Sequence, residues 1–163
     1  YFDGGYAVAA QDDYGTLVGA VADLEAVRGH TYSVQTRHYS ATINGFCLSA
    51  PNNNDPFANC YFIEVDSYYD GSFTLYSRQN GNETLLDDDT SLTVPEDDDM
   101  TIYVDYGDPT ITAKLYNPSD TLLSEVAATD TTHTGGYLAL RDRRSDWASG
   151  FDRVRKDVPD PGA

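Results

Sequence analysis

Hydrophobic and polar residues alternate along most of the chain, with the two-residue period of β-strands. In the segment 100–105 this period predicts that Ile102 and Val104 point inward, and in the segment 109–116 that Ile111, Ala113 and Leu115 do the same. The residues between them are mostly polar or tyrosine, and we expect them to face water. Alternation of this kind indicates antiparallel sheets with one face packed on a core and the other face solvated.

Many short segments have this pattern, and clusters of Gly, Asn, Asp and Pro separate them as turns would. The predicted strands are 5–10, 16–22, 31–39, 43–49, 60–66, 72–79, 83–86, 100–105, 109–116, 121–127, 135–141 and 150–156. Residues 19–28 also keep rough helical spacing, so this stretch fits either a helix or a strand followed by a loop. The pattern predicts an all-β fold, a two-sheet antiparallel sandwich in one domain over 1–156, followed by a C-terminal tail or linker over 157–163.

The charge of the chain narrows its setting and its partners. The sequence has 27 Asp and Glu against 10 Lys and Arg, a net charge of −17. The acidic triplets 87–89 and 97–99 would repel one another in dilute buffer, whereas molar salt shortens the Debye length to about 3 Å and screens that repulsion. This composition resembles that of proteins from haloarchaea and their viruses, although a calcium-binding protein or an ordinary acidic extracellular domain would share it. Nucleic acid is disfavoured as a partner, because phosphate binding needs a basic surface.

The hydrophobic content points to a folded protein without a membrane span. Hydrophobic residues make up 40% of the chain, enough for a packed core, and no run approaches the length needed to cross a bilayer. The chain begins with Tyr1 and does not start with a signal-peptide pattern, in which a charged segment precedes an apolar one. This predicts a processed mature protein or a piece of a longer one. We therefore expect an extracellular protein, on a cell or virion surface in a high-salt environment.

The two cysteines, Cys47 and Cys60, lie in neighbouring predicted strands. If they face each other across a hairpin, Phe46 faces Tyr61 and the hydrophobic residues of both strands share one face, as a buried face requires. Both cysteines then lie on the opposite face, within reach of a disulfide. A Cys47–Cys60 disulfide is the prediction, and two small buried thiols are the alternative. Asn82 begins an Asn-Glu-Thr sequon and is a candidate glycosylation site.

The succession of aromatic-rich strands resembles a known superfamily. The segments that carry the resemblance are Tyr61–Asp66, Gly71–Tyr76, Met100–Val104, Thr110–Tyr116, Gly135–Arg141 and Phe151–Arg155. In this order they resemble the concanavalin A-like lectin/glucanase superfamily, in particular its laminin-G-like domains. The resemblance covers about residues 30–156 and implies a two-sheet jelly roll. It also implies sugar binding, protein binding, structural decoration of surfaces or, occasionally, glycoside hydrolysis, because fold does not decide function.

Hydrolysis is the least favoured of these roles. Retaining hydrolysis needs two carboxyl groups about 5–5.5 Å apart, which one strand can supply from alternate positions. Glu64 and Asp66 share a face, but Tyr68 and Tyr69 occupy the positions where the family's third acid would fall. The sequence also has no Gly-x-Ser-x-Gly motif. The histidines at positions 30, 38 and 133 are interpreted as surface or edge residues.

A basic cluster near the end of the sequence is the strongest local feature. Six of the ten basic residues fall between Arg141 and Lys156, and the single tryptophan, Trp147, lies among them. Arg and Trp are over-represented where binding energy concentrates, and the guanidinium group binds carboxylates in pairs. The residues predicted to contact a ligand or partner are Arg141, Arg143, Arg144, Trp147 and Tyr137. The alternative is that these arginines pair with neighbouring aspartates and that Trp147 caps the core.

Two further binding features follow from residue type. Asp3, near the first predicted strand, and Asp152, in the last, are candidate ligands of a structural Ca²⁺ ion, because Ca²⁺ prefers oxygen ligands from acidic loops. Outward-facing tyrosines provide a candidate surface for stacking on sugar rings, although tyrosine is also favoured on exposed strand positions. The tyrosines in question are Tyr39, Tyr76, Tyr103, Tyr116 and Tyr137.

Together these features predict a non-catalytic β-sandwich module that attaches to carbohydrate or to a host surface, on a haloarchaeal cell or virion. Its expected partners are a surface glycan or neighbouring protein subunits, as a homo-oligomer or as part of a larger assembly. The alternative is a purely structural or decoration subunit of a surface or virion assembly.

Overall fold

The structure is a computed structural model that describes residues 7–9, 18–39, 41–51, 53–69, 71–145 and 149–163. These residues form twelve β-strands and no helix. The strands are β1 (Ala7–Ala9), β2 (Val18–Glu25), β3 (His30–His38), β4 (Thr42–Ala50), β5 (Cys60–Asp66), β6 (Ser72–Gln79), β7 (Asn82–Asp89), β8 (Asp99–Tyr106), β9 (Thr110–Tyr116), β10 (Leu122–Thr129), β11 (Tyr137–Ser145) and β12 (Ser149–Lys156). The stretch that fitted either helix or strand is therefore strand β2. Within the described ranges, no helix is long and apolar enough to cross a membrane.

The strands form two antiparallel six-stranded sheets. Sheet A has the order β1-β12-β3-β8-β9-β10, and sheet B has the order β2-β11-β4-β5-β6-β7. Hairpins build β4 to β7 within sheet B and β8 to β10 within sheet A. Strands β11 and β12 then insert next to β4 and β3, so consecutive strands near the C-terminus belong to opposite sheets. This arrangement confirms the predicted two-sheet antiparallel sandwich.

The core lies between the sheets and contains the residues that alternation predicted to point inward. Fully buried members include Ile63 and Leu75 from sheet B, and Ile102, Val104 and Ile111 from sheet A. Their side chains are β-branched or otherwise apolar, and such residues pack well on the pleated surface of a sheet. Removing this apolar surface from water is the main driving force for the fold.

The outer face of sheet B is not solvated as the alternation predicted. All nine residues of β4 are buried, and so are the first six of β5, although alternate residues of both strands point away from the core. On this outer face, Phe62 and Glu64 are 1% and 3% exposed. Phe57, from the loop between β4 and β5, packs here, since its ring centroid lies 6.1 Å from that of Phe62. The central strands of sheet B are therefore covered on both faces.

The C-terminal tail crosses the outer face of sheet A. The Thr31 hydroxyl donates to the Val158 carbonyl at 2.7 Å. The Lys114 ammonium donates to the Asp160 carboxylate at 2.7 Å, and the Tyr116 hydroxyl donates to the same carboxylate. Burial and the hydrogen bond to Asp160 raise the pKa of Tyr116 to about 12. The separate hydrogen bond that Lys114 donates to Asp160 raises the pKa of Lys114. The segment predicted as a tail or linker thus packs on the domain.

A buried polar network lies at one end of the sandwich, around His38. The imidazole is fully buried; its Nε2 lies 2.7 Å from Asn44 Oδ1 and its Nδ1 lies 2.7 Å from the Ser67 hydroxyl. Because an amide oxygen only accepts, Nε2 carries the proton and Nδ1 accepts from Ser67. Burial lowers the pKa of His38 to about 4, against the opposing influence of the Asn44 hydrogen bond. The interpretation of His38 as a surface residue was wrong.

The Arg28 guanidinium closes the opposite end. It donates to the carbonyls of Gly107, Asp130 and His133 and to the Tyr61 hydroxyl, at 2.7–3.1 Å. It also lies over the Tyr106 ring, 4.7 Å from the centroid. One planar cation therefore supplies donors to the carbonyls of three separate loop residues at this end of the sandwich.

Acidic side chains of edge strand β7 connect the two sheets. The Ala127 amide of β10 donates to the Asp87 carboxylate at 2.8 Å, and the Ser124 hydroxyl donates to the Asp89 carboxylate at 2.6 Å. The hydrogen bond from Ser124 is the main cause of a lowered pKa at Asp89. Two residues of the triplet at 87–89 therefore have a structural role as well as a charge.

Candidate functional site

The outer face of sheet B contains a buried ion pair that spans three strands. Arg141 of β11, Gly45 of β4 and Glu64 of β5 lie side by side in register. Since Gly45 has no side chain, the Arg141 guanidinium extends across it, and its Nη1 lies 3.1 Å from Glu64 Oε2. Both side chains are almost fully buried. A desolvated ion pair needs good geometry to offset its desolvation, so its position outside the core calls for a reason other than stability.

An aromatic ring packs against this ion pair. The Arg141 guanidinium lies 3.7 Å from the Phe62 ring centroid, and the Arg78 guanidinium lies 5.8 Å from it. Both distances are within the range of cation–π attraction, which is strongest where water is excluded. Arg141, Glu64 and Phe62 form a buried cluster of side chains, which we call the buried base of sheet B.

An accessible rim lies beside the buried base, toward β7. Arg78 of β6 and Glu83 of β7 are directly opposite in register. Arg141 Nη2 lies 3.6 Å from the Glu83 carboxylate, whose side chain is one-third exposed. Tyr76, also on β6, packs partly buried against the apolar residues around Phe62. The rim of Tyr76, Arg78 and Glu83 thus offers a guanidinium, a carboxylate and a phenol on a preorganised support.

The predicted basic cluster does not form one patch. Arg141 is 2% exposed and belongs to the buried base, on sheet B. Arg143 and Arg144 also lie in β11, with their side chains outside the described part, and Trp147 lies outside the described residues altogether. Tyr137 is half-buried at the start of the same strand. The remaining arginines of the cluster belong to β12, which lies in sheet A, because the chain changes sheets between β11 and β12.

The outward tyrosines do not share a stacking face either. Tyr103 and Tyr116 lie on sheet A and are buried, the second under the C-terminal tail. Tyr76 lies on sheet B, and Tyr39 is 37% exposed just after β3. Alternation identified which tyrosines leave the core, but it does not say which sheet each belongs to.

The predicted disulfide is absent, and both cysteines are buried free thiols. The strands pair two residues away from the predicted register, so Cys47 lies opposite Phe62 and Cys60 is its diagonal neighbour. Either register leaves the same residues on the same faces, which is why the hydrophobic pattern did not distinguish them. Burial, followed by the hydrogen bond with Cys60, raises the pKa of the Cys47 thiol well above its usual range.

The remaining predicted sites are the Ca²⁺ ligands and the glycosylation site, and the structure describes only some of their residues. Asp152 lies in β12, where its carboxylate accepts the Arg153 amide at 2.7 Å, while Asp3 is outside the described residues. In the part of the chain that the structure describes, no three His, Cys, Asp or Glu residues are grouped to hold a metal ion. The Ca²⁺ site stays a prediction. Asn82 is exposed at the β6–β7 turn, a position accessible to a glycan.

Solved structures with the same architecture include sugar-binding proteins. The carbohydrate-binding module CBM66 of Bacillus subtilis superposes with a TM-score of 0.72 at 15% identity, over 96% of this chain and 92% of the module. A toad ovary galectin in complex with thio-digalactose gives a TM-score of 0.60 at 10% identity, over 86% of this chain and 97% of the galectin. A GH43 protein from Bacillus licheniformis gives 0.53 at 10% identity, but the match covers 27% of that protein.

No protein-family model and no curated protein matches the sequence. At identities this low, the structural similarities show the fold and do not show a shared activity. The chain has a two-sheet antiparallel jelly-roll sandwich fold, as these solved structures do.

Proposed function

We propose that this chain is a non-catalytic carbohydrate-binding module and that the rim on sheet B binds the sugar. One observation carries the proposal, namely that a buried base on the outer face of a sheet holds Arg78 and Glu83 side by side. Sugar hydroxyls both donate and accept hydrogen bonds, so a guanidinium and a carboxylate in fixed positions suit them. The shared fold with a carbohydrate-binding module and with a galectin complex supports the proposal.

The carboxylates that would serve a hydrolase have other partners, which supports a role without catalysis. Glu64 is in its ion pair with Arg141. The Asp66 carboxylate accepts the amides of Tyr68 and Tyr69 at 2.7 and 3.1 Å, which fixes the turn after β5. Neither acid is poised to protonate a leaving group or to attack a sugar. We expect no release of reducing ends from any glycan that the protein binds.

The proposal is tested by screening the protein on a glycan array in molar KCl and comparing Arg78→Gln with Arg37→Gln. Arg37 is the matched control, because it is also a strand arginine but lies on sheet A, paired with Asp99. A hydrogen bond to a charged group contributes about 1.5–3 kcal/mol, so Arg78→Gln should weaken binding of the best glycan about tenfold or more. Absence of glycan binding, or equal affinities of the two variants, would contradict the proposal.

We also propose that the module is displayed outside the cell, on a haloarchaeal cell or virion surface in high salt. The net charge of −17 supports this setting, as does the exposure of Asp88, Asp97 and Asp98. Short hydrated carboxylates keep a surface soluble where salt strengthens apolar association. Display is tested by locating the protein with an antibody on intact cells or particles, and signal only after lysis would contradict it.

A further inference from the structure

Strand β12 contains a β-bulge that brings two arginines to the outer face of sheet A. Its pairing with β3 shifts register between Asp152 and Arg155. Phe151 and Val154 both lie in the core although they are three residues apart, so the bulge keeps Arg153 and Arg155 out of it. Arg153 has a φ of 52°, which is unusual for a bulky side chain. Bulges and backbone strain of this kind recur beside functional sites, where they redirect a side chain.

These two arginines line a pocket of about 300 Å³ on that face. Ser33, Gln35 and Thr101 also line it, from the adjacent strands β3 and β8. The Arg155 Nε is buried and has no hydrogen-bond partner within the described ranges. The Arg153 side chain is 54% exposed, and its ion pair with the preceding residue is long, at 3.7 Å. Within the described ranges, the Arg155 Nε is thus left without an acceptor, and the Arg153 guanidinium is accessible from solvent.

The C-terminal tail forms one side of the pocket. Val158, Pro159 and Pro161 line it from the tail, and Asp120 lines it from the β9–β10 turn. Between these prolines, Asp160 is held by Lys114 and Tyr116, which keeps the tail against the sheet. Hydrogen bonds from those two residues lower the pKa of Asp160, although its burial alone would raise it. The pocket is thus built by the fold, with apolar and polar sides.

We infer that this pocket binds a carboxylate-bearing sugar unit, a hexuronate. A guanidinium pair matches a carboxylate, the hydroxyl and amide groups of Ser33, Gln35 and Thr101 match ring hydroxyls, and the prolines match the C–H face of the ring. The volume of the pocket is at the lower end of the range found for small-molecule binding sites, which suits a single sugar ring. A chain with a net charge of −17 repels anions over long distances, but salt screens that repulsion while the direct contact remains.

The test is an NMR titration of the ¹⁵N-labelled protein in molar KCl with methyl β-D-glucuronide, methyl β-D-glucoside and acetate. We expect the glucuronide to shift the amides of Ser33, Gln35 and Thr101, and to bind at least tenfold more tightly than the other two compounds. Arg153→Asn should weaken glucuronide binding at least tenfold without unfolding the protein, because Asn tolerates this backbone conformation. Lys156→Gln removes the same charge from β12 outside the pocket and should change affinity less than twofold.

Several results would overturn the inference. These are no shift with glucuronide, acetate binding as tightly as glucuronide, or equal weakening by the Arg153 and Lys156 variants. Arg155→Gln provides a second variant should the first change the unfolding midpoint. Shifts confined to Arg78 and Glu83 would overturn the pocket while supporting the rim on sheet B. Because the two sites lie on opposite sheets, either proposal can fail without the other.

Discussion

The buried histidine makes the stability of the fold depend on pH, and the size of the effect follows from its environment. In the folded protein the pKa of His38 is about 4, whereas an exposed histidine has a pKa of 6.5. Between these values the unfolded chain binds a proton that the folded chain excludes, so stability is complete above pH 6.5 and falls as the pH drops toward 4. This difference between the two pKa values corresponds to a loss of about 3 kcal/mol in the free energy of unfolding.

This prediction is measured by urea unfolding of the wild type and of His38→Gln between pH 7.5 and pH 4.5, at constant high salt. The variant is less stable at pH 7.5, because it loses packing and the contact with Ser67, but it lacks the titrating group. The stability difference between the two proteins should therefore narrow by about 2 kcal/mol or more at pH 4.5. His133 and the carboxylates titrate in both proteins and cancel in the comparison. Parallel pH profiles would refute the reasoning.

Four further predictions follow. Arg141→Met leaves Glu64 buried without its cation and should lower the free energy of unfolding, measured in urea, by about 3–5 kcal/mol. Adding Glu64→Leu should restore much of this loss, whereas a loss under about 1 kcal/mol in the single variant would contradict the burial of the pair. Gly45→Ala should lower the thermal midpoint strongly, since the added Cβ would lie 1.8 Å from the β5 backbone, and an unchanged midpoint would rule out this close approach. Cys47 and Cys60 should react with iodoacetamide only after denaturation, with an unfolding midpoint unaffected by reductant; rapid labelling of the native protein would contradict their burial. The unfolding midpoint should rise steadily with KCl concentration up to the molar range. A midpoint in dilute buffer equal to that in molar KCl would remove the argument for a saline setting.

The positions and faces of the strands were predictable because burial of one face imposes a strict period of two. The residues predicted inward, such as Ile102, Val104 and Ile111, lie in the core. Register was not predictable to the same degree, since shifting a pairing by two residues preserves every face. The disulfide prediction failed for this reason. The cover over the outer face of sheet B could not be predicted either, because it depends on where Phe57 of the β4–β5 loop packs.

The candidate sites were predictable only in fragments. Glu64 was recognised as sharing a face with Asp66, but its partner Arg141 comes from a strand far along the chain and was interpreted as part of the basic cluster near the end of the sequence. Gly45 in the middle of a hydrophobic strand was a usable signal, because such a glycine often marks a close approach. No comparable signal for the bulge at Arg153 is present in the sequence, because Arg153 and Arg155, one on each side of Val154, also fit the regular alternation of a strand.

The carboxylates of β7 have a consequence for association between copies of the chain. The Ala127 amide on edge strand β10 is directed away from its own sheet and is already occupied by Asp87. A strand from a second molecule that tried to extend sheet A at this edge would have to displace that carboxylate and lie beside negative charge. The acidic edge thus disfavours association in which strands of successive molecules add to sheet A. Recombinant variants that reduce the acidity of this protein for work in dilute buffer should keep Asp87 and Asp89 and take their neutral substitutions elsewhere.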